Sequence, residues 1–424
     1  MLTLNVYFMR KSNPNRRHIQ SFEEFRTGPA TTAAAAERPR YTGRYFAVLR
    51  ETPPPGALQK LFEAHAGLRL ASSRDFVGSG TAAERDQIDG LYYEHLGVVL
   101  VDGEKKQLQM LTESAGEVIL QPERFIYSPM PKEVAKANVP AAAWGVQAIG
   151  ATASGYTGKG VRMGIIDTGF DLNHPDFVGR TVVTQSFVRT ERAQDVTGHG
   201  THCAGTAVGR QNSAGTRYGI AGDSELYMAK VFDKKGSAPD RRILDAITWA
   251  TDQGCRVLSM SLGAQVLPNQ GIDVYYERAG KYALDNNCVV VAAAGNESAR
   301  SAGAIAPVDS PANCPSFLAV AAVDQQLAVA DFSCAGINPG QNVDIAAPGV
   351  GIYSTWPVAL VKPPYHTISG TSMATPHVAG VLALLWEKYP KFTAAQIVSE
   401  LRRLARPLPG LHASDVGVGL LQSP

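Results

Sequence analysis

Short apolar runs alternate with amphipathic segments from residue 146 to the end of the chain. Six runs are predicted to be buried strands: 161–167, 224–232, 256–263, 287–296, 317–324 and 342–349. Four segments have the periodicity of helices: 241–254, 274–287, 373–390 and 393–405. Continuous apolar strands that alternate with helices predict an α/β fold with a mainly parallel sheet, covered on both faces.

The region 41–127 has a different pattern and is predicted to be a small α+β domain. Strands are predicted at 44–51, 69–77, 95–102 and 116–127, helices at 56–67 and 103–114, and a loop at 78–91. The order β-α-β-β-α-β is the ferredoxin-like split motif. We therefore predict two folded domains, 41–127 and 146–424.

Two segments lack a clear apolar period. Residues 1–40 are basic and then rich in Thr and Ala, so they are predicted to be a poorly ordered tail. Residues 128–145 are rich in Pro and Ala and form the predicted linker between the two domains.

Composition and charge narrow the class of protein. A chain of 424 residues with 45% apolar residues can bury a sizeable core. The net charge is only +2, from 40 basic and 38 acidic residues, which argues against nucleic acid or an acidic membrane surface as partner. No apolar run approaches the roughly 18 residues of a membrane-spanning helix, so no span is predicted.

The first residues and the cysteines bear on the compartment. A secretory signal has its charge before a long apolar core, and the start of this chain has the reverse order. We therefore expect a cytoplasmic protein, with secretion by another route as the alternative. The five cysteines all lie after residue 200 and are predicted to be buried thiols, with a Cys314–Cys334 bridge as the alternative.

Four motifs carry candidate chemistry, each at the end of a predicted strand or the start of a helix. They are IIDTG (165–169), GHGTHCAGT (198–206), AAAGNES (292–298) and GTSMATPHVAG (370–380). Acyl transfer needs a nucleophile, a base, a carboxylate that orients the base, and donors for the oxyanion. Ser372, His199, Asp167 and Asn296 supply one group for each role. His199 and His202 are three residues apart, so a metal pair is the competing interpretation, although no third ligand motif accompanies them.

Together with SMSLGA (259–264), these motifs resemble those of the subtilisin-like serine proteases, in the order Asp, His, Ser, over roughly 145–422. The Cys in HGTHCAG is similar to the proteinase K-like and other thiol-containing branches. The resemblance implies a three-layer fold and an endopeptidase that needs no cofactor for its chemistry. It also implies that Asp167 orients the base His199, that Ser372 is the nucleophile and that Asn296 belongs to the oxyanion hole.

The resemblance also implies a substrate groove. Ser261, Leu262 and Gly263 would pair with an extended substrate, and Ala293, Ala294 and Gly295 would form a wall of the pocket for the residue before the scissile bond. It would place Asp309 near the base of that pocket, where a buried carboxylate would favour Lys or Arg. The alternative for Asp309 is an exposed loop residue.

Other residues receive structural roles or a possible metal. The resemblance implies a calcium site made by Asp344 and the backbone oxygens of Pro315 and Phe317, with a simple strand-capping Asp as the alternative. His174, His202, His377 and Cys203 are interpreted as structural residues.

The small domain resembles the inhibitory propeptide of this family. That implies an autoprocessing site between Ser128 and Ala142, with a permanently attached accessory domain as the alternative. The overall prediction is a monomeric serine endopeptidase that acts on polypeptides and is made as a self-processing zymogen. A narrow-specificity peptide-maturation protease and a catalytically silent binding module are the alternatives.

Overall fold

A computed structural model describes residues 40–49, 60, 62–64, 67–73, 89–102, 118–129, 132–133 and 141–424. The chain divides into two compact units between Phe125 and Ile126. The predictions for the tail before residue 40, for the helix at 103–114 and for most of the linker lie outside the described residues.

The first unit is built on an antiparallel sheet. Its strands are β1 (Tyr41–Leu49), β2 (Leu70–Ser72), β3 (Gly90–Tyr93), β4 (Val98–Val101) and β5 (Val118–Tyr127). The order β5-β1-β4-β3 is that of the split motif, and β2 is added in parallel at the edge beside β3. The predicted loop at 78–91 was therefore wrong at its end, because β3 begins at Gly90 and forms a hairpin with β4.

The second unit contains the remaining strands and helices. The strands are β6 (Lys132–Glu133), β7 (Arg162–Asp167), β8 (Val182–Ser186), β9 (Glu225–Lys230), β10 (Ser237–Pro239), β11 (Val257–Met260), β12 (Val289–Ala293), β13 (Phe317–Val323), β14 (Ile345–Pro348), β15 (Ile352–Thr355) and β16 (Tyr365–Ser369). The α-helices are α1 (Trp144–Ala148), α2 (His199–Val208), α3 (Asp240–Asp252), α4 (Val274–Asp285), α5 (Thr371–Lys388), α6 (Ala394–Leu404) and α7 (Ala413–Val416). Two short 3-10 helices cover Pro175–Phe177 and Arg300–Ala302.

The centre of this unit is a seven-stranded sheet in the order β14-β13-β12-β11-β7-β9-β8. All six neighbouring pairs are parallel. Parallel strands need covering on both faces, and the continuous apolar runs of β7, β11, β12 and β13 provide that burial. The six predicted strands are all present. The sequence analysis did not identify β8, whose five residues are all only partly buried at the sheet edge.

Helices cover both faces of the sheet, which gives a three-layer α/β fold. Met163 and Ile165 of β7 belong to the large core that also contains Cys203 of α2 and Ala379 of α5. Gly164, between them, faces the other side, where Ala250 of α3 lies 3.3 Å from the position that a Cβ atom would take. The α5 helix is apolar on all sides and 16 of its 18 residues are buried, because it lies between the sheet and neighbouring helices.

A second sheet passes close to the start of α5. In it, β16 pairs antiparallel with β15 and with β6, so that Ser369 lies opposite Lys132 and Ile368 opposite Glu133. Tyr127 forms an antiparallel bridge with Gly263, just after β11.

The structure tests two sequence predictions, one about the state of the cysteines and one about membrane-spanning helices. All five cysteines are free and buried, so the Cys314–Cys334 bridge is not formed and the prediction of buried thiols is confirmed. Among the described residues, no helix combines the length and hydropathy needed to cross a bilayer.

Candidate active site

Asp167 and His199 form a buried pair at the carboxyl end of the sheet. Asp167 is the last residue of β7 and His199 the first of α2, and neither side chain is more than 3% exposed. The His199 Nδ1 atom lies 2.8 Å and 3.0 Å from the two Asp167 oxygens. The helix can approach this closely because residue 200 is glycine, whose missing Cβ would lie 2.3 Å from the Gly169 carbonyl oxygen.

The surroundings of His199 decide its protonation. Burial alone lowers the pKa of an imidazole, but the Asp167 carboxylate and the Cys203 thiol outweigh burial and raise the pKa of His199 well above 6.5. The Cys203 Sγ atom lies 3.9 Å from His199 Nδ1. The other ring nitrogen, His199 Nε2, is buried and has no hydrogen-bond partner among the described residues.

Ser372 lies at the start of α5, as the sequence predicted. Its hydroxyl donates to the Ser261 carbonyl oxygen over 3.4 Å, and the Ser261 hydroxyl donates to the Ser372 carbonyl oxygen over 2.8 Å. The Cys203 thiol donates to the same carbonyl oxygen over 3.5 Å. Because Cys203 contacts both His199 and Ser372, the nucleophile candidate and the Asp167–His199 pair lie in one site.

Asn296 reaches this site from the end of β12. Its Oδ1 atom accepts hydrogen bonds from the Thr371 backbone N–H (2.9 Å) and hydroxyl (3.0 Å). With the oxygen held in this way, the Nδ2 amide is the end of the carboxamide that remains to donate. The backbone N–H of Ser372, in the first turn of α5, has no carbonyl four residues earlier within the helix and is a second donor at this position.

The predicted groove residues lie on two adjacent strand ends. Ser261, Leu262 and Gly263 follow β11, and Ala293, Ala294 and Gly295 end or follow β12. The Tyr127–Gly263 bridge is antiparallel, so this edge already pairs with an extended segment of the chain.

Asp309 lies between these two strand ends and is only 4% exposed, so it is not an exposed loop residue. A Cβ atom at Gly295 would lie 2.7 Å from its Oδ2 atom, and one at Gly263 would lie 3.3 Å from the same atom. The backbone N–H of Asp309 donates to the Ala294 carbonyl oxygen over 2.9 Å, which holds the loop at the base of the groove. Glu297 and Cys334 lie within 4.8 Å of Asp309, so a second carboxylate and a thiol share this position.

Asp344 is surrounded by protein donors. Its Oδ2 atom accepts the Ala319 backbone N–H over 2.9 Å, and its Oδ1 atom pairs with the Arg402 guanidinium over 2.8 Å. Of the other two residues of the calcium prediction, Pro315 is exposed and Phe317 begins β13. Asp344 is the one side-chain carboxylate of the predicted ligand set, and a guanidinium paired with it does not fit a calcium site, so the geometry agrees with the alternative of a strand-capping Asp.

The remaining histidines make structural hydrogen bonds. His202 Nε2 bonds the Ile352 carbonyl oxygen (3.0 Å), His377 Nδ1 that of Met373 (2.8 Å) and His174 Nε2 that of Pro364 (2.9 Å). Burial lowers the pKa of His202 to about 3 and that of His377 to about 4, so both stay neutral at physiological pH. His199 Nδ1 and His202 Nε2 are therefore engaged with Asp167 and Ile352, so a His199–His202 metal pair would have to use the other ring nitrogen of each residue.

Sequence reasoning missed the polar residues that hold the motif residues in place. Thr371 fixes the Asn296 carboxamide, and Thr168 and Asp195 lie beside the Asp167–His199 pair. Their residue types could have indicated this role. A Thr or Asp that lies next to a catalytic motif in an apolar environment must find a hydrogen-bond partner.

The fold and site define a class: a three-layer α/β protein with a parallel central sheet, in which a Ser at a helix start lies beside a buried Asp–His pair. Comparison with known proteins identifies the family, because residues 158–419 match the subtilase family. The chain is 40% identical to subtilisin of Bacillus pumilus over 251 residues, which are 59% of this chain and 86% of that protein. It is 42% identical to thermitase of Thermoactinomyces vulgaris over 229 residues, which are 54% of this chain and 75% of that protein.

The chain therefore belongs to the subtilase family and is a subtilisin-like serine endopeptidase, which acts on polypeptides. The predicted family, fold class and type of enzyme are confirmed. Catalysis in this family needs no cofactor.

Proposed function

We propose that the chain hydrolyses peptide bonds through an acyl-enzyme on Ser372, with His199 as base, Asp167 as its orienting carboxylate and Asn296 as an oxyanion donor. The observation that carries the proposal is the Asp167–His199 pair, held at 2.8 Å, with a buried Nε2 atom that has no hydrogen-bond partner in the described part of the chain, in the site that contains Ser372. In this proposal the Ser372 hydroxyl turns from the Ser261 carbonyl oxygen toward that nitrogen when substrate binds.

The reaction proceeds in two acyl-transfer steps. Ser372 Oγ attacks the substrate carbonyl carbon while its proton passes to His199 Nε2, and the carbonyl oxygen becomes an oxyanion near the Asn296 amide and the Ser372 N–H. His199 then gives the proton to the leaving amine, and the C–N bond breaks. Water attacks the resulting ester with His199 again as base, and the protonated His199 returns a proton to Ser372 Oγ as the carboxylic acid leaves.

The substrate adds an antiparallel strand at Ser261–Gly263. The Tyr127–Gly263 bridge supports this binding mode, because it occurs between a segment of the same chain and the groove edge. Ala293, Ala294 and Gly295 form the facing wall of the pocket, where small residues leave room for a substrate side chain.

Self-processing of a zymogen is the second part of the proposal. Two pairings support it: Tyr127 with Gly263, two residues after the Ser261 that bonds Ser372, and Lys132 with Ser369, three residues before Ser372. We propose that the segment joining these pairings is cut by the nucleophile as a substrate would be. The proposed cut lies between Ser128 and Ala142, a range that is only partly within the described residues, and the 41–127 domain is the proposed inhibitor.

A basic residue before the scissile bond is the third part of the proposal. The buried Asp309 carboxylate, with Glu297 beside it, lies where the two groove edges meet at Gly263 and Gly295. A Lys or Arg side chain in that pocket would gain a charge-assisted hydrogen bond that an apolar side chain cannot make.

The test compares the wild type with Ser372→Ala and Asn296→Ala. Wild type should shorten itself, label with a fluorophosphonate probe and cleave peptides as a monomer in size-exclusion chromatography. Loss of the nucleophile should abolish probe labelling and lower turnover by about 10⁶-fold, whereas loss of the Asn296 amide should cost about 10²–10³-fold.

Two outcomes would favour the alternatives. A wild-type protein that keeps its full length, takes no probe and cuts no peptide would be a silent binding module. A protein that takes the probe yet remains full length, or cuts only one peptide from a diverse library, would point to an attached accessory domain or to a narrow peptide-maturation role. Mass spectrometry of the purified chain distinguishes these results.

A further inference from the structure

A buried carboxylate that the catalytic proposal does not use lies at the start of α2. Asp195 precedes His199 by four residues and is 2% exposed. Its Oδ1 atom accepts the Gly198 N–H over 2.9 Å, and its Oδ2 atom accepts the Thr201 N–H over 2.9 Å and the Thr201 hydroxyl over 2.7 Å. Thr197 adds its N–H at 3.0 Å and its hydroxyl at 3.1 Å. Asp195 therefore holds the residues on both sides of His199.

The same carboxylate also reaches the strand that carries Asp167. Thr168, the residue after Asp167, donates its hydroxyl to Asp195 Oδ1 over 3.0 Å. The Thr168 hydroxyl oxygen accepts the Gly200 N–H over 2.8 Å, and the Thr168 N–H donates to Asp167 Oδ1 over 2.7 Å. The buried Lys230 ammonium donates to the Thr168 carbonyl oxygen over 2.6 Å and fixes the backbone from the other side.

We propose that Asp195 is a positioning residue for the protease reaction: through Thr168 it sets the distance between Asp167 and His199. The inference rests on the proposed roles of those two residues. A carboxylate suits this position, because both of its oxygens accept hydrogen bonds from the surrounding N–H and hydroxyl groups. A shift of about 1 Å in such a pair can cost about 10²-fold in rate.

A purely structural role makes different predictions. If Asp195 only caps α2, its loss lowers the melting temperature and leaves the chemistry of the folded enzyme intact. If it positions the pair, its loss also weakens the effect of Asp167 on His199. The groups that face His199 are Asp167 and Cys203, with His202 one turn along α2, and none of them changes in the variants below.

The experiment uses the full-length chain and five variants: Asp195→Asn, Thr168→Val, Thr168→Ser, the Asp195→Asn/Thr168→Val double variant, and Asp171→Asn as control. Asp171 is a buried carboxylate of the same region, but it accepts from the Asn173 and Val358 N–H groups and the Gln194 amide rather than from Thr168. The kinetic parameters kcat and KM are measured across pH. The concentration of folded enzyme is determined by active-site titration with a saturating dose of a fluorophosphonate probe.

We expect Asp195→Asn to lower kcat by about 10²-fold with KM unchanged, and to move the acidic limb of the pH profile to lower pH. Thr168→Val should do the same, and the double variant should be no worse than the more impaired single variant, because both act through one contact. Thr168→Ser, which keeps the hydroxyl, should restore activity. Asp171→Asn should leave kcat and the acidic limb unchanged.

Several results would overturn the proposal. Unchanged kcat and acidic limb in Asp195→Asn, with only a lower melting temperature, would reduce Asp195 to a helix cap. An equal loss in Asp171→Asn would show a general effect of the region. If Asp195→Asn does not fold, equal activity of Thr168→Val and Thr168→Ser is the contradicting result. Failure of the catalytic proposal is distinguishable, because the wild type would then take no probe.

Discussion

The buried environment of His199 sets the pH range of activity. A general base must be neutral to accept the Ser372 proton, and Asp167 together with Cys203 raises the pKa of His199 well above 6.5 against the effect of burial. Activity should therefore fall as pH drops through that raised pKa, with the acidic limb of kcat/KM above the ordinary histidine value.

Asp167→Asn tests this explanation. Removal of the carboxylate takes away the main group that raises the pKa of His199, so the acidic limb should move to lower pH. The same change should lower kcat by about 10⁴-fold, because the imidazole loses its orienting partner. The pH dependence of kcat/KM gives both results, and Cys203→Ala, which keeps Asp167, is the control expected to move the limb less. An acidic limb that stays in place in Asp167→Asn would contradict the assignment.

The Asp309 carboxylate gives a second prediction, about specificity. In the wild type, peptides with Arg or Lys before the scissile bond should have higher kcat/KM than those with Leu. Asp309→Asn keeps the shape and removes the charge, so the preference for Arg over Leu should fall by about 10-fold or more, as expected for the loss of one charge-assisted hydrogen bond.

A peptide library that varies only this position measures the ratio, and Asp324→Asn, on an exposed turn, is the matched control. Equal cleavage after Leu and Arg by the wild type would rule out the basic pocket. Because Glu297 shares the position, Glu297→Gln should reduce the same ratio, and the double variant should prefer apolar residues.

Local sequence was enough to predict the four motif residues but not their supports. Asp167, His199, Asn296 and Ser372 each follow a recognisable strand or begin a helix, so their places could be predicted without contacts. Thr168, Thr371 and Asp195 act through hydrogen bonds between distant segments, such as Thr371 to Asn296 across 75 residues. No local pattern encodes such pairs.

At the level of elements, burial decided which strands could be predicted. β11, β12 and β13 are buried along their whole length and appear in the sequence as continuous apolar runs. β8, at the sheet edge, and β16, in the small sheet, contain partly buried polar residues such as Gln185 and His366, so their short segments carry no periodic signal.

The α5 helix shows how an element can serve the site through an irregularity. Pro376 has no N–H group, so the hydrogen bond that residue 376 would donate to the Ser372 carbonyl oxygen is missing. The Ser261 hydroxyl and the Cys203 thiol donate to that oxygen instead. The proline thus leaves the Ser372 carbonyl oxygen free to accept hydrogen bonds from Ser261, at the groove edge, and from Cys203, in α2.

At the level of the whole molecule, the end of the chain closes the catalytic unit. Ala346 of β14 donates to the Gly419 carbonyl oxygen and accepts from Leu421, and the Ser423 N–H donates to the Ile149 carbonyl oxygen just after α1. Segments that are distant in sequence therefore meet along β14. Asp344 immediately precedes β14. It accepts a hydrogen bond from the Ala319 N–H and pairs with Arg402, which connects the start of β14 to α6.

This connection leads to a prediction about metal dependence. Because Asp344 already pairs with the Arg402 guanidinium, that site should not need calcium, and a chelator should change the melting temperature of the wild type no more than that of Asp344→Asn. Arg402→Ala should lower the melting temperature by at most about 2–4 °C, since a partly exposed ion pair contributes little, and added calcium should restore part of that loss by replacing the lost cation. Scanning calorimetry with and without chelator measures both effects, with Arg403→Ala, on the exposed face of α6, as the control. A chelator-induced drop in the wild type that disappears in Asp344→Asn would show instead that calcium binds at Asp344, with Arg402 displaced.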